Sequence, residues 1–211
     1  GMCYKSKFYG ISSHRCIQMT PTLVCNHKCL HCWRPTGVSI SANWDEPKSI
    51  VEGCLREQMR LISGYAGSGK TNLEKLEEAK KPRHAAISLD GEPALYPMLN
   101  ELIEEFHRRN MTTFVVTNGS RPEVIAEIKP TQLYISLNAP DGVTFAKMCS
   151  PQKNDWRRLN ESLEVMRISG STPRTCIRIT LVKDLNIKNA EGYAKLIEKA
   201  EPDFVEVKAY M

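Results

Sequence analysis

The chain has 211 residues, 41% of them hydrophobic, and a formal net charge of +5. That length supports one sizeable core and predicts a single globular domain. No run approaches the ~18 uninterrupted apolar residues of a membrane span, and no signal-like leader opens the chain, so a soluble, cytoplasmic protein with no membrane partner is expected.

In chain order, "RCIQMT" at 15–20 reads as the first strand. Shortly after it, "CNHKCLHC" sets Cys25, Cys29 and Cys32 in a C-x3-C-x2-C pattern. The chain is too long to need stapling by disulfides, so three thiols on one loop point to metal or redox work. The polar residues between them, Asn26, His27, Lys28 and His31, argue against cysteines packed in a core. Three thiolates can hold three irons of a cubane cluster and leave the fourth iron open to a ligand. Zinc is the competing metal, with a fourth ligand from His27, His31 or Cys16. Trp33 follows directly, either as a packed aromatic, a shield over the metal or a surface for an adenine ring.

"PKSIVEGCLREQMRLIS" at 47–63 has helical period, with Val51, Leu55, Met59 and Ile62 on one face. "GYAGSGKT" at 64–71 then spells a phosphate-binding loop in Gly64, Gly69, Lys70 and Thr71. Such a loop works when a buried strand delivers the glycines and a helix starts at the lysine, so that backbone N–H groups converge on phosphate. Here a helix precedes it, so residues 63–72 are predicted to join two helices, and the "AISLD" segment only imitates a magnesium-binding aspartate. A P-loop nucleotidase is therefore a minor reading.

From residue 84 strands and helices alternate. The strand runs are "HAAISL" at 84–89, "TTFVVT" at 112–117, "QLYISL" at 132–137, "CIRITLV" at 176–182 and "FVEVKAY" at 204–210. Between the first two, "MLNELIEEFHRRN" puts Leu99, Ile103 and Phe106 on one helical face. Six strands alternating with helices predict an α/β barrel or open barrel, with chemistry at the C-terminal strand ends. Those ends carry Asp90, Gly91, Glu92 and Pro93 after the second strand, and Thr117 and Asn118 after the third. Ser136 and Asn138 follow on the fourth, and Arg178 lies on the fifth.

Cys25, Cys29 and Cys32 after the first strand resemble the signature of the radical S-adenosylmethionine enzymes, and "DGEP" resembles that family's G-G-E-P motif with Asp90 in place of the first glycine. The resemblance implies a partial (β/α)6 TIM-like barrel and a 4Fe-4S cluster whose open iron chelates S-adenosylmethionine. The cluster's electron would split the sulfonium to give a 5′-deoxyadenosyl radical. Asp90, Gly91, Glu92, Pro93, Thr117, Asn118, Ser136, Asn138 and Arg178 become the candidate S-adenosylmethionine contacts.

"CYKSKFYGISSHRCIQMTP" with "CNHKCLHCWRP", "SLDGEPALYP" and "SLNAPD" is similar to archaeal 4-demethylwyosine synthases. Members of that family condense N1-methylguanosine-37 of tRNA-Phe with two carbons of pyruvate to close the tricyclic base of the wybutosine pathway. The resemblance implies that Cys3 and Cys16 help hold a second iron-sulfur cluster, with residues 1–20 as its N-terminal segment, and that Lys5 holds pyruvate as a Schiff base. It also implies an electron donor such as a flavodoxin or ferredoxin. The family pattern has a further auxiliary cysteine upstream and continues past residue 211, so a piece trimmed at both ends is expected. His14 and Arg15 could help hold a carboxylate, and Lys80, Lys81, Arg83, Arg157, Arg158 and Arg167 would suit tRNA phosphates if they share the open face. A zinc-dependent RNA-binding module is the other class of protein these residues allow.

Overall fold

The computed structural model describes residues 3–34, 43–168 and 173–210. Six strands run parallel in sequence order: β1 (Cys16–Met19), β2 (His84–Ile87), β3 (Thr112–Thr117), β4 (Gln132–Ser136), β5 (Arg174–Leu181) and β6 (Phe204–Ala209). Parallel neighbours need crossovers. These are supplied by α2 (Pro47–Ile62) and α3 (Leu73–Ala79), α4 (Leu99–Arg108), α5 (Pro122–Glu127), α6 (Gly142–Cys149) with α7 (Asp155–Ile168), and α8 (Ala190–Ala200). A short helix, α1 (Tyr4–Tyr9), precedes the sheet. Local chemistry sets the helix starts: Pro47 and Pro122 open α2 and α5, while Asn72, Asp141 and Asn189 cap α3, α6 and α8 with side-chain oxygens.

The register pairs Cys16 with His84, His84 with Thr112, Phe114 with Gln132, Gln132 with Arg174 and Cys176 with Phe204. Every pair is even with even, so all six strands turn their even-numbered residues to one face. On the odd face Ile17, Ile87, Val115, Leu133, Ile135 and Ile177 bury against Leu99, Ile103 and Phe106 of α4 and Leu159 and Leu163 of α7. The even face curls into a lumen containing Ala86, Phe114, Tyr134 and Cys176, with Tyr9 and Cys16 against them. β1 and β6 do not pair among the described residues, which leaves the barrel open.

All six predicted strands are present, most within two residues of their predicted limits. The predicted face of α4 is fully buried, whereas on α2 only Val51 is, and Met59 is 43% exposed. Residues 63–72 join α2 to α3, as predicted, through a 3-10 helix (Ser63–Gly67) and a turn at 69–70, and Gly64, Gly69 and Lys70 are exposed. Because α2 returns from the C-terminal to the N-terminal end of the sheet, this segment begins at the end opposite the strand tips that carry the polar residues.

Candidate functional site

β1 ends at Met19, and the chain then turns across the top of the lumen through residues 20–34. Neighbouring backbone fastens this loop. The Lys28 N–H donates to the Cys149 carbonyl at 2.9 Å, the Leu30 N–H to the Met148 carbonyl at 2.8 Å, and the Glu92 N–H to the Val24 carbonyl at 2.7 Å. Side chains complete the anchor. Asp155 Oδ2, buried at the start of α7, accepts from Asn26 Nδ2 at 3.1 Å, His27 Nε2 at 3.0 Å and the Gln152 N–H at 3.0 Å. A carboxylate only accepts, so His27 carries its proton on Nε2.

The loop forms the rim of a cavity of about 580 Å³ lined by Cys25, Cys29 and Cys32 and by Asp90, Gly91, Glu92, Thr117, Asn118, Ser136, Asn138 and Arg178. The predicted triple and eight of the nine predicted cofactor contacts thus share one cavity; Pro93, buried at the start of a 3-10 turn behind Glu92, is outside its lining. Desolvation by the surrounding loop pushes the Cys25 thiol up to about 12, although the residue stays exposed at the rim. A hydrogen bond with Cys149, followed by burial, raises that of Cys29. Both must lose their protons to a metal, and a cation is what would remove them. Three soft sulfur donors on one loop, with open space beside them, fit an iron-sulfur cluster with a free coordination position.

Glu92 organises the second strand's end. Its carboxylate accepts from the Thr117 hydroxyl at 2.5 Å, the Asn118 N–H at 2.7 Å and the Ala94 N–H at 3.0 Å, and Asn118 Nδ2 passes the network on to Asn26 at 2.9 Å. Full burial still raises its pKa to about 7, against the pull of those hydrogen bonds. Gly91 has φ +64, and a Cβ there would collide with the Thr22 carbonyl oxygen, so only glycine lets the two loops approach this closely. Arg34 reaches Asp90 at 3.4 Å and stacks its guanidinium 4.1 Å from the ring centroid of Trp33, which is 67% exposed. Trp33 is therefore a rim residue and not a packed aromatic.

Lys5, Cys3 and Cys16 are absent from that lining and gather deeper in the lumen. Lys5 is 5% exposed, with Nζ 4.7 Å from the Phe114 ring centroid and 5.7 Å from that of Tyr134. Burial lowers its pKa, and the neighbouring thiols of Cys16 and Cys3 partly oppose the shift. One pleat higher along the strands, Arg178 on β5 pairs with Glu206 on β6 at 3.4 Å between this group and the upper cavity.

The basic residues separate. Lys80, Lys81 and Arg83 precede β2 and Arg167 lies in the last turn of α7, at the end of the barrel away from the cavity. Arg157 pairs with Glu161, and Arg158 with Glu123 and the Ser120 carbonyl. His14 contacts Glu78 and Arg15 Nε donates to the Lys81 carbonyl at the same lower end, so neither faces the cavity. Sequence reasoning missed the Asp155 anchor and the grouping of His27, Cys29 and Cys149, which bring one ligand atom each within 4.8 Å of one another. Asp155 opens α7 and Cys149 ends α6, and neither carries a local spacing signal in the sequence.

Comparison with known proteins fits this geometry. The Radical SAM superfamily model matches residues 19–197, from the end of β1 into α8. The S-adenosyl-L-methionine-dependent tRNA 4-demethylwyosine synthase of Pyrococcus abyssi is 51% identical over 99% of the chain, which spans 64% of that relative's length. The Methanocaldococcus jannaschii protein of the same name is 44% identical, over 99% of the chain and 69% of its own. A solved structure described as TYW1 with a lysine-pyruvate adduct bound superposes with a TM-score of 0.91 at 44% identity, covering 100% of the chain and 70% of its own. With the cysteine triple at the mouth of a six-stranded parallel half-barrel and a family match across most of its length, this chain belongs to the radical SAM superfamily.

Proposed function

We propose that this chain acts as a 4-demethylwyosine synthase, joining N1-methylguanosine-37 of tRNA-Phe to two carbons of pyruvate. The observation that carries the reading is Lys5, a buried amine beside Cys3 and Cys16 and one pleat below the cavity that the cysteine triple shares. The identity to named synthases and the lysine-pyruvate adduct described for a similar structure support it.

In this reading Cys25, Cys29 and Cys32 hold a 4Fe-4S cluster, which when bound supplies the electron that cleaves S-adenosylmethionine. Asp90, Gly91 and Glu92 frame the end of the cavity that would meet the methionine ammonium, and Pro93 fixes the turn behind them. Thr117, Asn118, Ser136, Asn138 and Arg178 offer hydrogen bonds from the next three strands. Lys5, with burial favouring its neutral amine, adds to the keto carbon of pyruvate and releases water, fixing the two-carbon donor within the lumen. Cys3 and Cys16 contribute to a second iron-sulfur cluster, a flavodoxin or ferredoxin supplies the electron, and the work is cytoplasmic.

Anaerobic reconstitution with iron and sulfide, followed by labelled pyruvate and borohydride, tests the assignment. The label should be fixed to the peptide containing Lys5 and lost in Lys5→Ala, while that variant still forms 5′-deoxyadenosine. With methylated tRNA present, the base should gain mass. A loaded protein that leaves Lys5 unlabelled and the base unchanged would reject the synthase reading.

A further inference from the structure

Cys149 is the last residue of α6 and is 1% exposed, directly under the cysteine loop. The two hydrogen bonds from Lys28 and Leu30 to the carbonyls of Cys149 and Met148 flank Cys29 and fasten its backbone to the helix end. These bonds hold the loop backbone against the helix end on both sides of Cys29, which is the closeness a disulfide needs. The two sulfurs already face each other, within 4.8 Å together with a nitrogen of His27. Cys29, the middle member of the triple, therefore has a partner thiol on the side away from solvent. Cys25 and Cys32 are exposed, on the rim of the cavity.

We propose that Cys29 and Cys149 form a reversible disulfide in the cluster-free chain, a modification that stores the middle iron ligand in a recoverable state during exposure to hydroperoxides. Cys29 is the more accessible of the two and, once deprotonated, reacts first. Its sulfur attacks the peroxide, the O–O bond breaks, and hydrogen peroxide leaves one oxygen as a sulfenic acid and the other as water. The Cys149 sulfur then attacks the Cys29 sulfur and expels a second water. The two thiols together lose two electrons and two protons, and the peroxide is reduced to two waters. The bond removes Cys29 from the ladder before it reaches the irreversible sulfinic and sulfonic acids, and a thiol reductant restores it.

The ligand role of Cys29 rests on the function proposed above; the disulfide does not. The full chain, freed of iron under anaerobic conditions, is treated with hydrogen peroxide, alkylated and mapped by mass spectrometry without reduction. The expected dominant cross-link joins the peptides of Cys29 and Cys149. In Cys149→Ser it disappears and Cys29 is recovered as sulfinic or sulfonic acid. After dithiothreitol, iron and sulfide, the treated wild type should regain its iron content while the treated variant stays several-fold lower. Cys149→Ala is run in parallel in case the serine hydroxyl disturbs the buried site. Cross-links confined to Cys25, Cys29 and Cys32, or equal overoxidation of Cys29 in wild type and variants, would overturn the proposal. Failure of the untreated wild type to take up iron would count against the cluster assignment alone, with the peptide map still deciding the disulfide.

Discussion

Burial and hydrogen bonding act in opposite directions on Glu92, and burial prevails. Its pKa rises from an ordinary 4.5 to about 7. Between those values the folded chain holds a proton that the unfolded chain has released, so stability falls as pH rises through the window and levels off above about 7. The slope at its steepest is about 1.4 kcal/mol per pH unit. Urea midpoints of wild type and Glu92→Gln, measured from about pH 5 to about pH 8, should show the wild type losing ground to the variant over this range. A constant difference between the two proteins would contradict the assignment. Glu92 was legible in the sequence as part of "DGEP", but its partners were not. Thr117 and Asn118 lie 25 and 26 residues further on, and only the parallel pairing of β2 with β3 brings them together.

Among the elements, the cysteine loop depends on helices far along the chain. Asp155 is 128 residues from His27, and its one oxygen takes three hydrogen bonds that nothing else among the described residues would satisfy. Asp155→Ala should cost ~3 kcal/mol, since it strands buried donors. It should also lower iron uptake, measured by iron and sulfide content alongside thermal unfolding; Asp155→Asn should recover part of both. Unchanged uptake would show that the backbone bonds to α6 hold the loop unaided. The helix-joining segment at 63–71 is the opposite case. Its letters match a phosphate loop, yet it follows a helix and begins at the far end of the barrel, with Lys70 exposed. Lys70→Ala should leave 5′-deoxyadenosine formation within twofold of wild type in a single-turnover assay, and a larger loss would give that lysine a role the fold does not suggest. The sequence distinguished the two loops by context, because a strand before the loop is what each chemistry requires.

For the molecule as a whole, stability should be graded across the sheet. Ile135 on the inner strand β4 is fully buried against the helices, whereas Val205 and Val207 on the same face of β6 are 46% and 56% exposed. Ile135→Ala should cost ~3 kcal/mol. Val207→Thr should cost less than ~0.5 kcal/mol by denaturant titration, and a comparable loss in both would mean that β6 is packed more tightly than this exposure indicates. The strands were legible because each is a compact aliphatic run between polar turns. The lumen was not, because Lys5, Tyr134 and Cys176 meet only after the sheet curls, and no periodicity within a single strand records that curvature. The even-with-even register has a further consequence for how such a chain can change. Each strand is read in one of two phases, and all six share the same phase. Deleting one residue early in β5 would shift that phase, sending the arginine that faces Glu206 toward the helices and an isoleucine into the lumen. Deleting two would shorten the strand and keep its inward side inward. Length changes within these strands should therefore survive in pairs, while segments at the opposite end of the barrel, such as the one joining α2 to α3, can vary by single residues without moving the side chains that line the cavity.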